Sequence, residues 1–135
     1  MNLRIDTSKT DLKNLIKHFV YFTFEFLDVD IRQISELHIY ESDVLDKCYG
    51  VCHQNHEDDY IIAFKGMDNE RNITDVFITL AHELVHVKQF LNNSLRFELN
   101  NRCYQNLQYS EKWWEKEAFE KQSEIVKAFV NILEQ

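Results

Sequence analysis

Apolar residues recur at three- and four-residue intervals near the start of the chain and predict a first helix. In the segment DTSKTDLKNLIKHFVYFTFEFLD they are Leu12, Leu15, Ile16, Phe19, Val20, Phe22 and Phe26. Ser8 or Thr10 is a candidate N-cap, because a side-chain hydroxyl can accept a hydrogen bond from the first free amides of a helix. We therefore expect a helix of about four to five turns that covers one side of the core.

Three shorter segments have the alternating or β-branched pattern of strands. They read SELHIYE, KCYGVCHQ and DYIIAFK, and the last is rich in β-branched and aromatic residues, as a buried strand would be. The polar segments NHEDD and GMDNERN on either side of the third strand predict turns. A small three-stranded sheet is therefore expected after the first helix.

Two further helices are predicted in the second half of the chain. The segment NITD offers Asn72 as a capping side chain with an acid three residues later, and the periodic pattern continues to about Phe90. The segment SEKWWEKEAFEKQSEIVKAFVNILEQ predicts a last helix that runs to the C-terminus, with Ser110 as its cap. Together these elements indicate the α+β class, with the strands and most helices in separate stretches of the chain.

Composition supports one folded domain that spans residues 1–135. The chain has 135 residues, of which 44% are hydrophobic and 13% aromatic, enough to bury a single core. It has no proline and only 2 glycines, so long regular elements with few tight turns are expected.

Charge and cysteine content narrow the classes of partner. The net charge is −8, from 23 acidic and 15 basic residues, so the phosphate backbone of a nucleic acid would be repelled. The 3 cysteines are an odd number and do not suggest a disulfide framework. The N-terminal MNLRIDTSKT lacks the apolar run of a secretory signal, and no apolar stretch is long enough for a membrane span. We expect a cytoplasmic protein without nucleic-acid or membrane partners.

The segment TLAHELVHVKQ carries the most specific chemical pattern in the chain. On a helix His82 and His86 lie one turn and about 40° apart, so both imidazoles can reach one metal ion. The pattern is the H-E-x-x-H signature of a metalloprotease helix, in which the two histidines bind zinc. Glu83 would then be the general base that takes a proton from the zinc-bound water and passes it to the leaving amine. The alternative is a charged helix face exposed to water.

A third zinc ligand is sought on the last helix, because a catalytic zinc takes three protein ligands and keeps one open position. Glu115 falls at about 200° from Trp113, within the apolar face of that helix. A lone carboxylate there costs several kcal/mol unless it is paired or binds a metal. Glu117 and Glu111 are alternatives, and an acid near a helix start is also favourable without a metal.

The segments HELVH and WEKEA together resemble the gluzincin class of zincin metallopeptidases, whose general plan thermolysin-like, ImmA/IrrE-like and SprT-like proteins share. The resemblance covers roughly residues 60–122, and HVKQ after the motif is similar to small phage and bacterial members. It implies that Glu115, with the small residue Ala118 three positions on, completes the zinc site. Many gluzincins have Asp or Asn at the position of Phe119, so here the hydrogen bond to a zinc histidine must come from another residue or be absent.

The resemblance also implies an activity, which is the hydrolysis of a peptide or protein. DYIIAFK would border the cleft and pair with an extended peptide, although these residues equally fit a plain core strand. Tyr104, Tyr109 and His53 are candidates to stabilise the oxyanion that forms on the attacked carbonyl. The alternative function is a regulatory or binding protein of zincin fold with structural zinc and weak or absent hydrolysis. The sequence indicates neither the substrate nor the oligomeric state.

Overall fold

The computed structural model describes residues 1–45, 48–92 and 112–135. These residues form an α+β arrangement of three α-helices and one four-stranded sheet. The elements in chain order are β1 (Asn2–Asp6), α1 (Thr10–Phe26), a short 3-10 helix (Ile31–Gln33), β2 (Glu36–Glu41), β3 (Gly50–His56), β4 (Asp59–Phe64), α2 (Ile73–Leu91) and α3 (Trp113–Leu133).

The sheet has one more strand than the sequence pattern predicts. Its order is β1-β2-β4-β3, with β1, β2 and β4 parallel and β3 antiparallel to β4. The missed strand is β1, an edge strand of five residues in which only Ile5 is buried. The prediction of three strands is therefore wrong. Met1, Leu3 and Ile5 do alternate with polar residues, as in a half-buried strand, but a pattern this short is a weak signal.

The strand DYIIAFK, expected to face a bound peptide, lies inside the sheet. It forms β4, which pairs with β2 on one side and with β3 on the other. Both of its edges are hydrogen-bonded, so the prediction that a peptide pairs with it is wrong. Its strongly apolar sequence reflects this central position. The strand beside the candidate site is β3, which pairs with β4 alone among the described strands.

The helices cover one face of the sheet, and the strand register decides which side chains meet them. Tyr60, Ile62 and Phe64 of β4 point to the buried face and are at most 1% exposed. Cys52 pairs with Ile62 and Gly50 with Phe64, so these two β3 residues share that face. The helix α2 packs against β3 and β4, and α1 packs against β1. The inner side of β3 therefore faces α2.

The helices α2 and α3 run antiparallel, with the three helices joined at one end by aromatic packing. Phe19, Phe77 and Phe129, one from each helix, have ring centroids 4.7–5.6 Å apart. Aromatic pairs of this kind contribute about 0.5–1.5 kcal/mol each beyond their buried area. This cluster sets the spacing of α2 and α3. The two helices meet again one to three turns further along α2, where His82 and His86 lie.

The ends of the helices agree with the predictions from the sequence more closely than the capping residues do. Asn72 caps α2 and forms a capping box with Asp75, as predicted. The N-cap of α1 is Lys9, which makes no side-chain cap hydrogen bond, so the prediction of Ser8 or Thr10 is wrong. The N-cap of α3 is Lys112, and Ser110 lies outside the described residues. Within the described ranges, no helix has the length and apolar character needed to cross a bilayer.

Candidate metal centre

Two histidines project from neighbouring turns of α2 toward α3. The ring centroids of His82 and His86 are 4.9 Å apart, and the planes of the rings meet at 83°. His86 is 6% exposed, whereas His82 is partly buried. The apolar face of α2 packs into the core, and this fixes the rotation of the helix and the side from which both rings emerge.

The carboxylate of Glu115 lies against both rings. Its Oε2 is 3.1 Å from Nε2 of His82, and its Oε1 is 2.8 Å from Nε2 of His86. Glu115 occupies the first turn of α3, where the buried side chains of Trp114 and Ala118 hold that face against α2. The structure therefore brings together the three residues that the sequence nominates as zinc ligands.

Of the two alternatives for the third position, only Glu117 is among the described residues, and it forms no ion pair with either ring. Glu117 accepts a hydrogen bond from Nε2 of Gln89 at 3.0 Å and pairs with neither histidine. Glu111 lies outside the described residues.

The outer nitrogen of each histidine is held by a glutamine. Nδ1 of His82 is 2.8 Å from Oε1 of Gln122, and Nδ1 of His86 is 2.7 Å from Oε1 of Gln89. An amide oxygen only accepts, so each Nδ1 carries the hydrogen. In a neutral ring Nε2 then presents a lone pair, and both lone pairs point at Glu115.

The ionisation of these groups reflects their close contact. Burial alone would raise the pKa of Glu115, but hydrogen bonds with His82 and His86 outweigh it and hold that pKa far below 4.5. Burial alone would lower the pKa of His82, but its bonds to Glu115 and Gln122 and the charge of Glu83 leave that pKa above 6.5. The carboxylate thus strongly favours positive charge at the point where the two Nε2 atoms face it.

A divalent cation fits this donor set. Two neutral rings with hydrogen on Nδ1 would turn their lone pairs toward those of a carboxylate, which is repulsive unless positive charge lies between them. One divalent cation provides that charge for both rings at once, whereas protons would require two buried imidazolium ions side by side. Two imidazoles and one carboxylate are also a donor set typical of zinc enzymes.

Glu83 lies beside this donor set but does not contact it. The donor atoms of His82, Glu83 and His86 lie within 4.8 Å of one another, so proximity alone would also nominate Glu83 as a ligand. We favour Glu115 because it touches both Nε2 atoms, whereas Glu83 forms no ion pair with either ring. Glu83 is 6% exposed, and burial is the main reason that its pKa is raised above 4.5, against the lowering effect of the histidines. A carboxylate with a raised pKa is suited to accepting and releasing protons.

A cavity of about 600 Å³ opens directly over these residues. His82, Glu83, His86 and Glu115 form its floor, and residues 48–53 of the β3 side form one wall. His53 is on that wall, whereas Tyr104 and Tyr109, the other candidates for oxyanion stabilisation, lie outside the described residues. The volume is that of a site for a small ligand or a few residues of a peptide.

Sequence reasoning missed Gln89 and Gln122, which hold the rings. Gln122 lies seven residues after Glu115, two full turns along α3, and so returns to the same face. Phe119, at the position where many gluzincins have Asp or Asn, is 60% exposed and points away from the site. The helical spacing from Glu115 was the available signal, but a neutral glutamine on a polar helix does not stand out from its neighbours.

Comparisons of the chain with family models, with curated proteins and with solved structures give no match. The chemistry of the site is therefore the basis for assigning a function.

Proposed function

We propose that the protein is a zinc-dependent metallopeptidase, in which His82, His86 and Glu115 bind the metal and Glu83 is the general base. The single observation that carries the proposal is the convergence of two Nε2 atoms and one carboxylate, at 3.1 and 2.8 Å. The H-E-x-x-H spacing on α2 and the adjoining cavity support the same assignment.

Zinc is the metal that the donor set favours. Imidazole nitrogens suit zinc and poorly suit magnesium or calcium, which prefer oxygen ligands. Bound zinc supplies a Lewis acid that polarises a carbonyl and lowers the pKa of a water molecule to about 7. Structural zinc sites usually have four protein ligands and are closed. The described residues offer three, next to an open cavity, which supports a catalytic site over a structural one.

The role of Glu83 follows from its burial and from its place beside the ligands. In hydrolysis the oxygen of a water molecule bonds to the carbonyl carbon of the peptide, and the bond from that carbon to nitrogen breaks. Glu83 accepts a proton from the attacking water and delivers it to the leaving nitrogen, so that a carboxylic acid and an amine result. Its raised pKa, caused mainly by burial, makes the carboxylate a stronger base, so the first transfer, from the attacking water, is easier than it would be to an exposed glutamate.

The substrate is proposed to be an extended peptide lying along β3. Its outer edge is not paired with any described strand, and Val51, Cys52 and His53 line the cavity. A peptide can add to such an edge through main-chain hydrogen bonds, which would place its backbone across the cavity. In this proposal β3 pairs with the peptide, a role that the family resemblance had implied for the segment that forms β4.

Zinc content tests the metal site. Wild type purified without added metal should carry one zinc per chain, and Glu115→Ala should lose it or bind it far more weakly. The matched control is Glu120→Ala, which removes an exposed acid from the same helix and should keep the zinc. Glu117→Ala should also retain one zinc after saturation. Equal zinc content in Glu115→Ala and Glu120→Ala would move the third ligand elsewhere, and a folded wild type that binds no zinc would remove the metallopeptidase proposal.

A second experiment separates the catalytic role of Glu83 from metal binding. Glu83→Gln keeps the size of the side chain but cannot accept the proton, so cleavage of an unstructured protein such as casein should fall by about 10²-fold or more. Zinc content should stay at the wild-type level, because Glu83 is not a ligand in this proposal. Cleavage at the wild-type rate would exclude Glu83 as the base. A zinc-loaded wild type that cleaves no peptide would instead favour the regulatory or binding protein with structural zinc.

A further inference from the structure

Gln89 uses every hydrogen-bonding group of its amide, and each goes to a different part of the site. Its oxygen accepts from Nδ1 of His86 at 2.7 Å. Its nitrogen donates one hydrogen to the main-chain oxygen of Trp114 and the other to Oε1 of Glu117, both at 3.0 Å. The side chain is 2% exposed, so no water substitutes for these partners.

Only an amide satisfies this arrangement. The two acceptors, Trp114 and Glu117, require two N–H donors, and the ring of His86 requires one acceptor. A glutamate at this position would still accept from His86, but its oxygens would then face two other acceptors in a buried site. The bonds also fix the orientation of the amide, and with it the hydrogen on Nδ1 of His86.

Gln89 therefore joins the two helices that carry the ligands. It holds the ring of His86 on α2, and on α3 it holds the residues on either side of Glu115 along the chain, Trp114 next to it and Glu117 two positions on. The first turn of α3 has no side-chain cap, since Lys112 makes no cap hydrogen bond. A contact that fixes this turn also fixes where the carboxylate of Glu115 meets the rings.

We propose that Gln89 is a positioning residue, which through one buried amide sets both the metal-facing nitrogen of His86 and the placement of Glu115. This inference rests on the proposed zinc site. It adds to that site the residue that keeps His86 on α2 and Glu115 on α3 correctly placed relative to each other. Partners of this kind typically change metal affinity by about 10- to 100-fold when they are removed.

Gln122 provides an internal comparison, because its amide makes one such contact among the described residues, whereas that of Gln89 makes three. Its oxygen accepts from Nδ1 of His82, and its amide nitrogen has no partner among the described residues. A glutamate there keeps the acceptor, and no carboxylate of the described residues accepts a hydrogen bond from the amide nitrogen that it replaces. The same substitution, glutamine to glutamate, should therefore have opposite consequences at positions 89 and 122.

The test compares Gln89→Glu, Gln122→Glu and the double variant Gln89→Glu with Glu117→Gln. Zinc affinity is measured by competition with a chromogenic chelator, and the ligand geometry by the visible absorption bands of the cobalt-substituted protein. Circular dichroism confirms folding. Gln89→Glu should bind zinc about 10- to 100-fold more weakly, with altered cobalt bands. Gln122→Glu should bind at least as tightly as the wild type. The double variant should recover part of the loss, because the amide introduced at position 117 would donate to the carboxylate introduced at position 89.

The outcomes separate this inference from the proposed function. A wild type without zinc would overturn both. A wild type that binds zinc, with equal affinity and equal cobalt bands in Gln89→Glu and Gln122→Glu, would overturn only the role of Gln89. A lower thermal stability in Gln89→Glu with unchanged affinity and bands would make Gln89 a packing residue and would also contradict the proposal. Failure of both Gln89 variants to fold would contradict it in the same way.

Discussion

Cys52 on β3 lines the same cavity as Glu83, and the protonation state of its thiol decides how readily it reacts. Burial raises the pKa of its thiol well above 9.0, and the charge of Glu83 raises it further. Although the residue keeps some exposed surface, its neighbours remove enough water to disfavour the thiolate. Because the thiolate is the nucleophilic form, Cys52 is expected to react slowly with electrophiles at neutral pH.

Alkylation rates test this environment. At pH 8 iodoacetamide should modify the exposed Cys48 readily and Cys52 at least about tenfold more slowly, since each unit of pKa lowers the thiolate fraction tenfold. The alkylation rate of Cys52 should keep rising with pH beyond pH 9, whereas the rate of an ordinary thiol no longer increases there. Single Cys48→Ser and Cys52→Ser variants in a Cys103→Ser background separate the two rates by mass spectrometry. Equal rates at pH 8 would mean that Cys52 is not protected.

At this scale the sequence predicted the residues whose positions depend on helical geometry alone. The histidines needed only the rise and turn of one helix, and Glu115 stood out as a carboxylate on an apolar face. The outer-nitrogen partners could not be predicted in the same way. Gln89 contacts His86 within α2, but its two contacts with Trp114 and Glu117 form only once α3 has packed against α2.

Among the elements, the contact of β3 with α2 depends on a residue without a side chain. A Cβ atom on Gly50 would lie 2.6 Å from Cγ2 of Thr79 and 3.2 Å from Cγ of Glu83. Thr79 cannot simply turn away, because its Oγ1 accepts a 3.0 Å hydrogen bond from the buried Arg71. The strand comes this close to α2 because Gly50 is there, and this closeness defines one wall of the cavity.

Substitution of Gly50 by alanine should therefore disturb both stability and the site. Overpacking of this kind typically costs about 1–3 kcal/mol, and the displaced atoms include those of Glu83, the proposed general base. Urea unfolding should register the loss of stability, and peptide cleavage should fall with it. Gly66→Ala is the matched control, because its Cβ would meet only the flexible end of the Glu41 side chain, which can move. Equal losses in the two variants would show that close approach at Gly50 has no special role.

Element boundaries and sheet order were not equally accessible to sequence reasoning. The helix α2 was predictable from cap to end because the capping box and the apolar period agree. The strand β4 was recognised, but its position was not. An apolar strand indicates burial on both faces and does not reveal which neighbours pair with its edges. The sheet order depends on β1, in which Leu3 and Ile5 alternate with polar residues over too few positions to predict a fourth strand clearly.

For the whole molecule, the ligand set and the aromatic cluster hold α2 and α3 together at different heights. Phe77 of α2 contacts Phe129 of α3, whereas the rings of His82 and His86 meet Glu115 further along. The core around the aromatic cluster should not require the proposed metal, since its residues are buried by the sheet and by the three helices. Metal removal should therefore loosen the end of α3 near Glu115 without unfolding the chain.

Thermal unfolding with and without metal tests this arrangement. Zinc at about 1,000 times its dissociation constant adds about 4 kcal/mol to the folded state, provided that the unfolded chain binds it weakly. For a chain of 135 residues this corresponds to a rise in Tm on the order of 10–20 °C over the chelator-treated protein. Magnesium at the same concentration should give no rise, because it binds imidazole poorly. Glu115→Ala should show a much smaller response to zinc, whereas Glu120→Ala should respond like the wild type. A chelated wild type already unfolded at 25 °C would mean that the metal, and not the apolar core, holds α3 in place.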